Sequence, residues 1–210
     1  MKRYATYPGR QMSSDRSRRV VASLGVDGPC KGPLRASVLL AALSDLGARE
    51  EPAGSNDGPQ IHHLVRGIAD YWWSDLVAPD WCAASVSQWI RRGLGLPNWR
   101  LTRTKPFAPV VEGHPWGKFF VGVRQIVDWA KSVEDEHPGV WLPGPEPGAV
   151  FIIASERDGR TVYEHTGLVL QVHPEDGSIT TIEGNWNSAV TSRNFRASYP
   201  RHFIAWWAVL

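Results

Sequence analysis

Cysteine is scarce in this sequence, with two cysteines among 210 residues. That number excludes the small secreted domains that depend on several disulfides, and a chain of this length buries a sufficient core without them. No apolar run approaches the roughly 18 residues that span a bilayer, so the sequence predicts no membrane span. The charges nearly cancel, at 23 basic and 21 acidic residues. We therefore do not expect a protein that binds nucleic acid through a strongly basic surface.

The small excess of positive charge is concentrated at the N-terminus. Residues 1–35 hold eight basic residues against two acidic ones, and they show no apolar segment typical of a secretory signal. We interpret residues 1–35 as a basic arm, which is either a flexible tail or a segment attracted to an anionic polymer. Residues 36–210 are then predicted to form one globular domain.

The hydrophobic pattern changes character along the chain. Apolar residues recur at helical spacing in the N-terminal part, and β-type runs with turns such as Asp176-Gly177 follow in the last third. The pattern predicts helices at 37–46, from 59, from 81 and at 120–132, and strands at 150–153, 162–172, 179–182, 189–195 and 202–209. Residues 94–118 receive no assignment, and the proline-rich segment 138–148 is predicted to be a loop. Helices followed by an antiparallel sheet indicate an α+β fold.

Cys82 lies next to a predicted helix start. If Asp80 caps this helix, the cysteine falls in the first turn, where unpaired N–H groups and the helix dipole favour a thiolate. A carboxylate as near as that of Asp80 opposes a second negative charge. Cys82 is therefore either an activated nucleophile or an inert buried thiol. The other cysteine, Cys30, lies in a Gly-Pro-rich turn and is expected to be a free thiol.

A histidine and a glutamate follow at positions that a hairpin can bring together. His165 lies at the entry of one predicted strand, and Glu183 lies near the end of the next. If these strands pair through the Asp176-Gly177 turn, the carboxylate can hold the imidazole in one tautomer and stabilise its cation. Those are the roles of the base and the orienting residue beside a nucleophile. Gly167 would allow close approach of a substrate or a neighbouring backbone.

Several ordered segments resemble the CHAP family, the cysteine, histidine-dependent amidohydrolases/peptidases that are related to the NlpC/P60 enzymes. The segments are Glu51-Pro52-Ala53-Gly54-Ser55-Asn56, Trp81-Cys82-Ala83, Pro147-Gly148-Ala149-Val150-Phe151, His165-Thr166-Gly167 and Glu183-Gly184-Asn185. The resemblance implies a papain-like fold and cleavage of amide bonds in peptidoglycan. It also implies Cys82 as the nucleophile, His165 as the general base, and Glu183 and Asn185 as its orienting partners. The sequence departs from the family at Gly148-Ala149, where Gly-Asp is usual.

Other residues complete the predicted site. The loop around Asn56 is a candidate source of an oxyanion donor, and Trp81 and Trp186 are candidates for stacking on substrate, unless they only pack in the core. The predicted mechanism needs no metal or other cofactor. Some CHAP relatives bind calcium through acidic loops, and Glu50, Glu51 and Asp57 are the residues to consider here. They lack the ligand spacing of an EF-hand.

The resemblance leaves several functions open. The first is a peptidoglycan hydrolase, either an N-acetylmuramoyl-L-alanine amidase or a peptide endopeptidase, in the role of a phage endolysin. A secreted antibacterial toxin with the same chemistry, and with an immunity protein as its partner, is the runner-up. A non-catalytic, tryptophan-rich wall-binding module and a protease acting on proteins are two further functions that the sequence leaves open. We expect a protein made in the cytoplasm that acts on the cell wall after release.

Overall fold

The computed structural model describes residues 33–64, 80–95, 120 and 122–209. Four helices precede the sheet: α1 (Pro33–Leu43), α2 (Pro59–Leu64), α3 (Cys82–Gly93) and α4 (Val123–Val133). The predictions for the N-terminal 32 residues, for the helix beyond Leu64 and for 96–118 lie outside the described residues. Within those described residues, no helix is long and apolar enough to cross a membrane.

The C-terminal part forms one six-stranded antiparallel sheet. Its strands are β1 (Trp141–Leu142), β2 (Val150–Arg157), β3 (Arg160–His173), β4 (Ser178–Trp186), β5 (Ala189–Arg196) and β6 (His202–Ile204). Their spatial order is β1-β6-β2-β3-β4-β5. The prediction of helices followed by an antiparallel sheet is confirmed. The short β1 lies inside a segment that was predicted to be a loop, because its two residues pair with β6 from far along the chain.

Helix α3 packs at the centre of the molecule, against α1 on one side and against β3 and β4 on the other. Every residue from Cys82 to Arg91 is buried, including the fully enclosed Trp89. The contact with α1 is close: a β-carbon at Gly93 would come within 2.6 Å of the Val38 backbone. The tight enclosure holds α3 in one position, so the residue at its first turn has a defined place over the sheet.

Helix α1 begins earlier than the predicted domain boundary. Pro33 is its first residue, and Arg35 is buried with its guanidinium 3.3 Å from the centre of the Trp207 ring. Its Nη1 donates to Glu146 Oε2 at 3.0 Å. Residues 33–35 were assigned to the basic arm by charge. The structure corrects this assignment, because Arg35 has a carboxylate and an aromatic partner in the folded part.

The last predicted strand is also shorter than expected. Strand β6 ends at Ile204, and Trp206–Val209 form a 3₁₀ helix. The Trp206 ring is fully buried, and its N–H donates to the Gly148 carbonyl at 2.9 Å. The prediction of a strand through residue 209 was wrong because a continuous apolar run fits both a strand and a short helix that places one tryptophan inward.

Candidate active site

Cys82 is the first residue of α3 and is 4% exposed. The first backbone hydrogen bond of this helix is donated by the Ser85 N–H to the Trp81 carbonyl oxygen, at 2.9 Å. The amides of residues 82–84 therefore precede the helical hydrogen-bond pattern, as is usual at a helix N-terminus. This places the Cys82 sulfur beside the positive end of the helix dipole, where a negative charge is stabilised.

The helix start is held by Trp81 and not by Asp80. Trp81 occupies the N-cap position, and among the described residues no side chain caps the helix. The Trp81 indole N–H donates to the buried Glu50 at 2.9 Å, and Glu50 also accepts from the Gly54 amide at 2.7 Å. Asp80 therefore does not cap α3. Its carboxylate instead accepts a hydrogen bond from the Asn185 amide at 3.1 Å.

His165 lies on β3 and Glu183 lies on β4, the two strands of the predicted hairpin. The hairpin turn includes Gly177 with a φ of +69°, a conformation that glycine adopts readily. The Nε2 atom of His165 donates to Glu183 Oε2 at 2.9 Å. Sequence spacing alone suggested this pair, and the antiparallel pairing of the strands brings the two side chains together.

Gly167 allows the two strands to approach at this point. A β-carbon there would lie 2.5 Å from the Ile182 carbonyl oxygen and 2.9 Å from the Glu183 Cγ. Gly184 has the same role toward the helix, since its β-carbon would lie 2.2 Å from Ser85 Oγ. Two glycines therefore set how closely Glu183 lies to β3 and to α3. The close approach at Gly167 is made by protein backbone.

Glu183 is fully buried and receives several donors. Thr181 Oγ1 donates to its Oε1 at 2.5 Å. Arg193 Nε donates to Oε2 at 2.9 Å, and Arg193 Nη2 lies 2.7 Å from the same oxygen. Burial acts to raise the pKa of Glu183, but the hydrogen bonds from His165, Arg193 and Thr181 outweigh it and lower this pKa below its usual value. The carboxylate is therefore ionised at neutral pH.

The imidazole of His165 carries a positive charge at neutral pH. Burial acts to lower its pKa, but hydrogen bonds with Cys82 and Glu183, together with attraction to both, raise it to about 9. Because Nε2 is taken by Glu183, Nδ1 is the ring nitrogen that remains for the sulfur. The structure thus brings Cys82, His165 and Glu183 into one chain of contacts.

Asn185 does not join this chain of contacts in the way the resemblance implied. Its amide donates to Asp80, while Nε2 of His165 is occupied by Glu183. Asn185 has a φ of +60° at the end of β4. It therefore links the sheet to the segment just before Cys82, and the orienting contact to His165 comes from Glu183.

The three predicted substrate-binding residues differ in where they lie. Trp81 is 1% exposed, so it is a core residue and offers no face for stacking on a ligand. Trp186 is half-buried, with its ring centre 5.6 Å from that of His165. Asn56 lies in a loop that is tied to the β4–β5 turn through a hydrogen bond from the Gly54 amide to Ser188 Oγ at 2.9 Å. Trp186 and Asn56 remain predictions for substrate contact.

Acidic residues near the site are engaged by protein groups. Both oxygens of Glu50 accept hydrogen bonds, from Trp81 and from Gly54, and Asp57 pairs with His62. Over the described part of the chain, no group of three His, Cys, Asp or Glu side chains is arranged to hold a metal ion.

Sequence reasoning missed two residues of the site, Thr181 and Arg193. Both contact the Glu183 carboxylate, and Thr181 pairs with Arg193 across β4 and β5. Arg193 is half-buried on the outer strand β5, between the exposed polar residues Ser192 and Asn194. Only the register between β4 and β5 reveals that it points toward Glu183.

Comparison with known proteins relates the chain to a described family. A protein-family model described as the CHAP domain matches residues 72–185, which is more than half of the chain. The matched range contains Cys82, His165, Glu183 and Asn185. No curated protein and no solved structure matches the chain.

Proposed function

The chain belongs to the CHAP domain family, a family of peptidoglycan amidases and peptidases with a papain-like fold, and on this premise we propose that it hydrolyses an amide bond of peptidoglycan with Cys82 as the nucleophile. The prediction of the CHAP family and of a papain-like α+β fold is thereby confirmed. The residue roles, the bond that is cut and the biological setting belong to the proposal.

One observation carries the proposal: the His165 imidazole interacts both with Cys82 and with the buried Glu183 carboxylate. Its Nε2 lies 2.9 Å from Glu183 Oε2, and interaction with Cys82 raises the pKa of the same imidazole. This is the arrangement of a nucleophile, a base and an orienting acid, which is recognised by geometry and roles on unrelated folds. A thiol that only packs in the core does not require a charged imidazole that is oriented by a carboxylate, so this arrangement favours a nucleophile over an inert thiol.

The reaction begins with attack of the Cys82 sulfur on the amide carbonyl. A C–S bond forms, and negative charge develops on the carbonyl oxygen. The backbone N–H of Cys82, at the first position of α3, is the first donor for this oxyanion. The loop around Asn56 is the proposed source of the second donor.

His165 moves the proton in both halves of the reaction. It gives its proton to the leaving nitrogen as the C–N bond breaks, which leaves a thioester on Cys82 and a free amine. It then takes a proton from water as the water attacks the thioester, and a carboxylic acid and the thiolate are released. Glu183 keeps the ring oriented during both steps and stabilises the imidazolium.

The substrate contact that we propose is the half-exposed Trp186 beside His165. Its ring is placed to stack on a sugar or a peptide plane next to the bond that is cut. That bond is either the N-acetylmuramoyl-L-alanine amide or an amide within the peptide stem. The same catalytic site is compatible with a phage endolysin and with an exported antibacterial toxin. Finding this chain in complex with an immunity protein would favour the toxin.

Purified cell walls test the proposal with wild-type protein and Cys82→Ala. Wild type should clear the suspension, and Cys82→Ala should still pellet with the walls without clearing them. Cys30→Ala, which removes the other cysteine, is the matched control and should clear walls like wild type. Mass spectrometry of the released fragments identifies the bond.

Two results would contradict the proposal. If Cys82→Ala clears walls as fast as wild type, the thiol is not the nucleophile. If wild type pellets with walls of every type tested but releases no fragment, the protein is the non-catalytic wall-binding module.

A further inference from the structure

We propose that Arg193 is a positioning residue of this site, which holds the Glu183 carboxylate ionised and in place against His165 throughout the reaction. This inference rests on the proposed function, because it assigns a role within the same Cys82–His165–Glu183 site. Arg193 does not touch the reacting atoms. It acts through Glu183.

The geometry shows one oxygen shared by two cations. Oε2 of Glu183 lies 2.9 Å from Arg193 Nε, 2.7 Å from Arg193 Nη2 and 2.9 Å from His165 Nε2. The other oxygen accepts from Thr181. The carboxylate is fully buried, whereas the Arg193 side chain is 20% exposed. Arg193 thus forms part of the enclosure around the Glu183 carboxylate.

The need for this second cation follows from the charge of His165 during the reaction. When His165 gives its proton to the leaving amine, Glu183 loses its positive neighbour. A buried carboxylate without a charged partner is strongly disfavoured and tends to take up a proton. Arginine stays protonated at any working pH, so Arg193 keeps Glu183 anionic in both states of the histidine.

The guanidinium is itself fixed by an aromatic ring. Its central carbon lies 3.5 Å from the centre of the Trp186 ring, and Trp186 packs beside His165 with ring centres 5.6 Å apart. Stacking on a ring limits the planes that a guanidinium adopts. Arg193 therefore approaches Glu183 in one orientation, and the same ring contacts the histidine that Glu183 orients.

Charge at Arg193 also sets the pH range of the site. Among the described residues, the ionisable groups that contact Glu183 are His165 from β3 and Arg193 from β5, and Cys82 of α3 interacts with the imidazole of His165. Removing the Arg193 cation makes the site more negative, which raises the pKa of every remaining group. The acidic and the basic limbs of a pH profile should then both move to higher pH.

The experiment compares Arg193→Met and Arg193→Lys with wild type and with Arg196→Met. Arg196 is an exposed residue on the same strand and serves as the matched control. The first readout is the pH dependence of Cys82 alkylation by iodoacetamide, followed by mass spectrometry of the peptide that contains Cys82. This readout needs no wall substrate. The second is the initial rate of wall clearing across the same pH range.

We expect Arg193→Met to move the acidic limb of alkylation upward by at most about 1 pH unit, the lower end of the roughly 1–3 units for a charge within about 4–6 Å, because Glu183 and His165 separate Arg193 from Cys82. Its clearing rate at neutral pH should fall about 10- to 100-fold, within the roughly 10²- to 10⁴-fold that acid–base catalysis contributes. Arg193→Lys keeps the charge, so its limbs should stay in place while its rate falls less. Arg196→Met should match wild type.

Limbs that stay at the wild-type pH in Arg193→Met would overturn the inference, even if the rate falls, because a purely structural role lowers the rate at every pH alike. If Arg193→Met does not fold, Arg193→Gln replaces it as the variant that lacks the positive charge, and limbs that stay at the wild-type pH in Arg193→Gln overturn the inference in the same way. Wild-type protein that clears no walls contradicts the proposed function instead, and the alkylation profiles still test Arg193 in that case.

Discussion

His165 Nε2 and Glu183 Oε2 lie 2.9 Å apart, although 18 residues separate them in the chain. The histidine side chain is 12% exposed and the glutamate is fully enclosed, so little water screens their interaction. A charge-assisted hydrogen bond in such surroundings is stronger than one at the surface. The pair therefore couples the protonation of His165 both to the chemistry of Cys82 and to the stability of the fold.

The stability of the protein should fall as His165 loses its proton. Its pKa in the folded state is about 9, above the ordinary value of 6.5. The stabilisation from the charged imidazole is therefore complete below pH 6.5 and is lost as the pH rises through 9. Urea unfolding of wild type and of His165→Gln over this range should show a difference in unfolding free energy that shrinks as the pH rises. His173→Gln, from the same strand, is the control. A difference that stays constant from pH 6.5 to 9.5 would contradict the prediction.

Gly167→Ala should push Glu183 away from its position. The new β-carbon would lie 2.5 Å from the Ile182 carbonyl oxygen and 2.8 Å from Phe151 Cε1, and backbone at that distance has to shift. We expect a loss of about 1–3 kcal/mol in unfolding free energy, as for overpacked sites, together with slower wall clearing. Gly144→Ala is the matched control, because a β-carbon there meets nothing within 4 Å. Equal stability of the two variants would show that β3 and β4 tolerate the extra atom.

Trp81→Phe should affect stability and leave substrate affinity unchanged. The indole N–H of Trp81 is a donor to the buried Glu50, and loss of that donor should reduce the unfolding free energy by about 1–3 kcal/mol. Chemical denaturation measures this loss, and the dependence of clearing rate on wall concentration measures affinity. Trp141→Phe, at a half-buried tryptophan on β1, should lower the stability less. A weaker affinity for walls with unchanged stability would instead make Trp81 a substrate contact.

The order of helices and strands was predictable because it depends on neighbouring residues. The apolar run Val150-Phe151-Ile152-Ile153 predicted a buried strand, and the structure has β2 there. The Asp176-Gly177 turn predicted the hairpin of β3 and β4. Where the pattern fits two structures the prediction was wrong, as at Trp206, whose ring turns inward from a 3₁₀ helix.

The candidate site was predictable in its main residues and not in their partners. The sequence shows a cysteine at a predicted helix start, a histidine at the entry of a predicted strand and a glutamate on the next predicted strand. The partner of Asn185 is Asp80, 105 residues earlier, and Arg193 reaches Glu183 from an outer strand. Neither contact follows from local pattern, because each depends on how strands and loops from distant parts of the chain align.

The amino-acid sequence by itself determined the α+β order, the CHAP family and the identity of the three residues proposed for the reaction. Those properties depend on residue type, short-range periodicity and the order of motifs, and all three can be read from the amino-acid sequence. Only the tertiary structure decided that Glu183 and not Asn185 contacts His165, that Trp81 packs in the core and that Arg193 contacts the Glu183 carboxylate. These outcomes depend on strand register and on the space left by Gly167 and Gly184, which arise when distant segments pack together.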